Sequence, residues 1–250
     1  MKEFKNIHGI VIDSKKFKEH HLLIKLFTNE LGIITLLVRN KDINLPLSFS
    51  LFSESIFSLR KGRSFFYCTD FDLIHSNFDL RYNIKAYSFV NLFINIIEIS
   101  LMENMVDSNS FSLFNKVLRS MNTSYDRILS LANAFLIKYI SFQGYRPEFN
   151  YHCIEQYPFF KLISEEGEFY PQTKSEPKYS GRTLTNKELD YLYTLLYNKL
   201  EILGVINIDI LSKEKVFIVL IQYIKDIFEI SEFHSMKFIE NICLSKIWRK

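Results

Sequence analysis

Near residue 80 the spacing of apolar residues changes from every second position to every third or fourth, and this break divides what the two parts of the chain can become. Before it, short runs rich in β-branched and aromatic residues at 7–12, 22–28, 32–38, 54–59 and 65–69 read as strands. Asn29-Glu30-Leu31-Gly32 and Arg60-Lys61-Gly62-Arg63 read as the turns of two hairpins, each using a glycine for the tight backbone. Residues 45–52, with Pro46 near their start, fit a short helix or irregular link between the third and fourth strands. Five short strands with one small helix after the third describe an OB-type β-barrel over residues 1–80.

After the break, Ala86, Phe89, Val90, Phe93, Ile97 and Leu101 form the stripe of a buried helix, and Leu113, Val117, Leu118 and Met121 repeat it. Residues 125–142 predict a long helix capped by Ser124 and stopped by Gly144 and Pro147. Thr185 followed by Glu188 makes a capping box for a helix over 185–200, and further helices are expected over 213–228 and 235–247. Between them, residues 146–181 lose periodicity and hold Pro147, Pro158, Pro171 and Pro177, which reads as an irregular insert. The fold class is therefore α+β, a barrel followed by an all-α helical bundle over 81–250, with the insert inside the bundle.

Charge is divided along the same line. Residues 1–63 carry 11 Lys and Arg against 6 Asp and Glu, whereas the remainder carries 20 against 22. A basic barrel beside a mildly acidic bundle is the footprint of a phosphate-binding surface. The apolar run over 89–102 is broken by Asn91, Asn95, Glu98 and Ser100, so no membrane span is expected. Residues 1–8 carry charges ahead of any apolar run and no cleavage site, so no signal peptide is read there. Cysteines 68, 153 and 243 form no framework, which fits a reducing cytoplasm.

No nucleophile, dinucleotide, phosphate-loop or zinc-protease motif occurs, and the six histidines pair with no acid at ligand spacing, so an enzyme is not expected. His152-Cys153 is the nearest approach to a metal site, but zinc needs about four ligands, and Cys153 reads as a lone buried thiol. Glu165-Glu166 reads as a solvated turn. The cations are more informative. Lys15, Lys16 and Lys18 are expected in the link between the first two strands, Lys25 on the second strand, Arg39 and Lys41 where the third runs out, and Arg60, Lys61 and Arg63 in the hairpin between the fourth and fifth. In an OB barrel such loops flank the face that holds single strands, where cations follow phosphates and Phe27, Phe65 or Tyr67 would stack bases. The competing reading is a scaffold that binds no DNA, whose barrel and bundle dock protein partners and whose basic loops only solubilise it.

The order of motifs resembles the RecO family of bacterial recombination mediators. Gly9-Ile10-Val11-Ile12, followed by the run from Leu22 to Gly32, is similar to that family's opening. Leu59-Arg60-Lys61-Gly62-Arg63 and Leu80-Arg81 resemble its fourth and fifth strands and first helix. Gln143-Gly144-Tyr145-Arg146-Pro147-Glu148-Phe149 with Cys153 is similar to its "GYxPEL…C" entry to a zinc ribbon, and Phe233-His234-Ser235-Met236-Lys237-Phe238 to its closing "LKSxxFL". The resemblance implies a cytoplasmic, nucleoid-associated DNA repair protein that binds single- and double-stranded DNA and anneals complementary strands. It implies partnership with RecR and with the acidic, apolar C-terminal tail of single-strand DNA-binding protein, so that RecA is loaded, indirectly, onto coated DNA. Lys116, Arg119, Arg127 and Lys138, near Leu118, Ile128 and Phe135, are the cations and apolar positions expected to receive that tail. Two departures stand out. The paired CxxC of zinc-bearing members is absent, since Gln156 follows Cys153 at the second ligand's place, so a degenerate ribbon without zinc is expected. The basic "KGARRxKS" segment is replaced by the lighter Arg39-Asn40-Lys41-Asp42.

Overall fold

A computed structural model describes residues 2–39, 46–149, 156–174, 183–200, 203 and 208–245. Lys41, His152 and Cys153 lie outside the described residues. The chain divides into two compact units, one of Met1–Tyr82 with Ile96–Arg119, the other of Asn83–Asn95 with Ser120–Lys250.

In the first unit, β1 (Glu3–Phe17), β2 (His21–Thr28), β3 (Gly32–Arg39), β4 (Glu54–Lys61) and β5 (Phe66–His75) close into a barrel in the order β1-β2-β3-β5-β4. β1 is long because it serves two neighbours. Its first part pairs with β4 and its second with β2, and a register shift between Val11 and Asp13 turns it from one to the other. At the turning point Val11 bonds instead to the residues before β4, donating to Ser53 O at 3.0 Å and accepting from Phe52 N at 2.8 Å. Val11, Ile24, Leu26, Leu36, Phe57 and Leu59 fill the interior at 1% exposure or less. A 3-10 turn, Leu47–Phe49, lies between β3 and β4, the OB arrangement expected from the sequence.

β1 continues to Phe17, so Lys15 and Lys16 lie on a strand and not in a loop. They pair with Leu23 and Leu22 of β2. Periodicity ended the strand at residue 12 because Asp13-Ser14-Lys15-Lys16 forms a polar hairpin arm beyond the apolar interior, held by backbone bonds that no side-chain pattern reports. β5 runs past Thr69 to His75, paired along β4.

Among the described residues six helices follow: α1 (Ile84–Ser100), α2 (Ser108–Ser120), α3 (Tyr125–Phe142), α4 (Asn186–Tyr197), α5 (Ile210–Ile227) and α6 (His234–Ile242). α2 belongs to the barrel unit up to Arg119, where Phe111 and Phe114 pack on Phe27 with ring centroids 5.4 and 6.1 Å away. The second unit is built around α3, which packs against α4 and α5. Phe135 stacks on Phe93 at 4.1 Å and on Tyr139 at 5.3 Å. α3 ends in a Schellman motif, with Gly144 at φ +89°, its N–H donating to Ser141 O and that of Tyr145 to Ile140 O. The capping box of α4 is present, Thr185 Oγ1 accepting from Glu188 N and Glu188 from Thr185 N.

Among the described residues the insert holds regular strands, and the second unit is not all-α. β6 (Phe159–Ile163), β7 (Glu168–Gln172) and β8 (Thr183–Thr185) form an antiparallel sheet in the order β7-β6-β8. Phe160, Leu162, Phe169 and Leu184 are buried. The alternation was obscured because the side chains on the other face, such as Phe159 and Ile163, are also apolar. Pro171 sits in β7, an edge strand, where the missing N–H costs no ladder bond.

Candidate nucleic-acid interface

β3 and β5 touch at a single parallel position, Leu36 with Phe66, and beyond it they part. The parting opens a groove of about 500 Å³ on the barrel. Arg39 at the end of β3 and Arg60 near the end of β4 both line it. Each sits opposite a ring in the next strand, Arg39 across from His21 and Arg60 across from Tyr67. Tyr67 and Phe71 are 38% and 36% exposed, and Phe71 is held edge-on against buried Phe49 at 4.9 Å. Two exposed guanidinium groups beside fixed, half-open aromatic faces can contact phosphates and stack bases within one groove. Neither arginine makes an ion pair among the described residues.

The other barrel cations are sorted differently. Lys61 follows Arg60 on a strand and so leaves from the opposite face. It lies over the Phe66 ring at 5.6 Å and, with Arg63, lines a second, smaller cavity of about 120 Å³. Lys15 pairs with Asp13 at 2.8 Å, which raises the lysine's pKa, and Lys16 is exposed on β1. Lys18 occupies the β1–β2 turn at φ +57°, 5.5 Å over Phe17. Lys25 pairs with Glu98 at 2.5 Å. Of the expected stacking rings, only Tyr67 reaches the groove. Phe27 is fully buried under α2, and Phe65 packs edge-on against Phe17 at 6.1 Å. His21, Phe49 and Phe71 were not singled out from the sequence. The signal for Phe71 was the continuation of β5 through Asp70-Phe71-Asp72, which alternates beyond the expected end of the strand.

The helical cations expected to receive an acidic tail divide between the units. Lys116 and Arg119 belong to the barrel unit, Arg127 and Lys138 to the other. Arg119 forks onto the carboxylate of Glu54, Nε to Oε2 at 2.9 Å and Nη2 to Oε1 at 2.7 Å. Lys138 donates to Leu196 O at 2.7 Å, and burial lowers its pKa. Leu118, Ile128 and Phe135, the expected apolar slot, are core residues no more than 1% exposed.

No group of three His, Cys, Asp or Glu side chains that could hold a metal ion occurs among the described residues. The hairpin of the insert is filled by Phe160, Leu162 and Phe169. No helix among the described residues is long and apolar enough to cross a membrane.

Two family comparisons cover nearly the whole chain. Residues 1–77 match the family described as "Recombination protein O N terminal", and residues 81–237 match "Recombination protein O C terminal". Relatives named "DNA repair protein RecO" are similar over shorter stretches. That of Macrococcus caseolyticus is 27% identical over 208 residues, 80% of this chain and 82% of its own. That of Alkaliphilus metalliredigens is 24% identical over 142 residues, 56% of this chain and 58% of its own. That of Mesoplasma florum is 26% identical over 145 residues, 56% and 53% of the two chains.

Proposed function

The chain belongs to the recombination protein O family of DNA repair proteins, and from that premise we propose that it is a recombination mediator whose barrel groove holds single-stranded DNA. The observation that carries the reading is the groove where β3 and β5 part, in which Arg39 and Arg60 meet Tyr67 and Phe71. A strand lying there places phosphates on the guanidinium groups and a base against an aromatic face. Contacts of this kind tolerate any sequence, as annealing of complementary strands requires. Binding to duplex DNA uses phosphate contacts alone, through the same cations. No catalytic group enters this account.

Partnership with RecR, and loading of RecA onto DNA coated by single-strand DNA-binding protein, rest on family membership. For the acidic tail of the coating protein the four helical cations remain the candidate contacts, Arg119 and Lys138 at the cost of the bonds described above. The protein works without zinc in this reading, because Gln156 stands where a second cysteine would be needed.

The test is a titration of fluorescent single-stranded DNA at two salt concentrations with the parent protein and Arg39→Ala/Arg60→Ala. The parent is expected to weaken with salt by a log–log slope of about 0.7 per phosphate contact, and the double variant to lose affinity and slope together. Equal binding by both proteins would remove the groove from the reading. A protein-docking scaffold is favoured by one observation. Ile99, Met102, Met105 and Val106 are 49%, 79%, 50% and 52% exposed in one short stretch of the barrel unit. Salt-insensitive or absent DNA binding would favour that alternative.

A further inference from the structure

The smaller cavity of the barrel unit, about 120 Å³, is lined by Lys61, Arg63 and Phe65 of the β4–β5 hairpin and by Glu103 and Asn104 of the α1–α2 connection. All of them lie in one compact unit. Lys61, Arg63 and Glu103 are exposed, and among the described residues no ion pair joins the carboxylate to either cation. The cavity therefore offers two cations to an incoming anion beside a negative charge.

The backbone connection that carries Glu103 is tied to the β2–β3 hairpin. Asn104 N donates to Ile33 O at 3.2 Å, Ser108 Oγ to Asn29 O at 3.3 Å, and Met105 N to Met102 O at 3.1 Å. Asn104 takes the left-handed conformation at φ +63°. The approach is so close that a Cβ on Gly32 would lie 2.2 Å from the carbonyl oxygen of Met105.

We propose that Glu103 is an electrostatic gate on DNA binding, weakening the contact between a backbone phosphodiester and the hairpin cations Lys61 and Arg63. This rests on the reading of the barrel as a DNA-binding surface. A phosphodiester that enters the cavity to reach the two cations brings its own negative charge towards the carboxylate. The repulsion acts over a distance shorter than the Debye length, so added salt does not fully screen it. The gate lowers the net attraction at the hairpin without touching the aromatic groove, so a strand held at Arg39 and Arg60 is released more readily from Lys61 and Arg63.

The test is fluorescence anisotropy of labelled oligothymidylate with the full chain over a salt series, comparing parent, Glu103→Gln, Lys61→Ala/Arg63→Ala and the triple variant. Glu103→Gln is expected to bind about fivefold tighter than the parent at low salt, with the gain shrinking as salt rises. The gain should disappear in the Lys61→Ala/Arg63→Ala background, because the carboxylate then has no contact to oppose. Unchanged or weaker binding by Glu103→Gln, with the parent binding normally, overturns the gate and leaves the DNA reading standing. An equal gain in both backgrounds also overturns it, by reducing the effect to net charge. A parent that binds no single-stranded DNA at low salt overturns both.

Discussion

Glu54 has no exposed side-chain surface, yet it is charged. Burial pushes its carboxyl up, but hydrogen bonds from His8 at 2.6 Å, from the Arg119 fork and from Asn115 at 2.8 Å outweigh this, and the charge of Arg119 adds to them. The balance holds the group at about 2, below its ordinary 4.5. A depressed carboxylate stabilises the fold fully above its ordinary value and loses that contribution as pH falls towards the folded one. Arg119→Ala leaves the buried carboxylate without its guanidinium partner. The expected cost at neutral pH is about 2 kcal/mol, below the usual range for a broken buried pair because the arginine is itself 45% exposed. Urea denaturation of parent and variant checks this, and the difference should shrink as pH falls from 4.5 towards 2. The sequence did not disclose the pair. Arg119 stands 65 residues from Glu54, and a cation on an amphipathic helix looks solvated until the partner strand is placed beside it.

At the level of elements, turns and caps were legible because local backbone geometry demands particular residues. Gly32 was read in a hairpin turn and Gly144 as a helix stop, and both have positive φ, +67° and +89°. Their surroundings differ. A methyl group at Gly32 would strike the Met105 backbone, whereas nothing lies within 4 Å of one at Gly144. Gly144→Ala is therefore expected to cost about 1 kcal/mol from backbone conformation alone. Gly32→Ala should cost about 2–3 kcal/mol, since the hairpin or the α1–α2 connection must shift as well. The ranking is read from chemical denaturation midpoints, and equal losses would mean that the connection yields freely. What escaped local reading were the strand extensions and the small sheet of the insert. The β1 extension is polar and the small sheet is apolar on both faces, so neither produces a clean alternation; the β5 extension does alternate over Asp70-Phe71-Asp72.

At the scale of the molecule, the break in apolar period near residue 80 is not where the first compact unit stops. That unit takes in Ile96–Arg119, and Phe27 of β2 is buried there by Phe111 and Phe114 of α2. A fragment ending at Tyr82 leaves Phe27 uncovered and Glu54 without Arg119. It is expected to bind the dye ANS and to unfold with poor cooperativity, and the intact chain to do neither; a well-dispersed NMR spectrum from the fragment would contradict this. The sequence by itself determined the strands of the barrel and the helices after it, the barrel type, the Thr185–Glu188 capping box and the concentration of cations in residues 1–63, whereas Ser124, expected to cap α3, makes no side-chain cap bond. Each of these follows from periodicity, turn chemistry or counting, which act over a few residues. Only the tertiary structure decided which cations share a site. Arg39 and Arg60 meet because β3 and β5 part after one pairing, and Lys61 is sent to the other face by the strand's period of two. Arg119, Lys25 and Lys15 are drawn into ion pairs by carboxylates that only the fold brings near, since pairing depends on distance in space and not on distance along the chain.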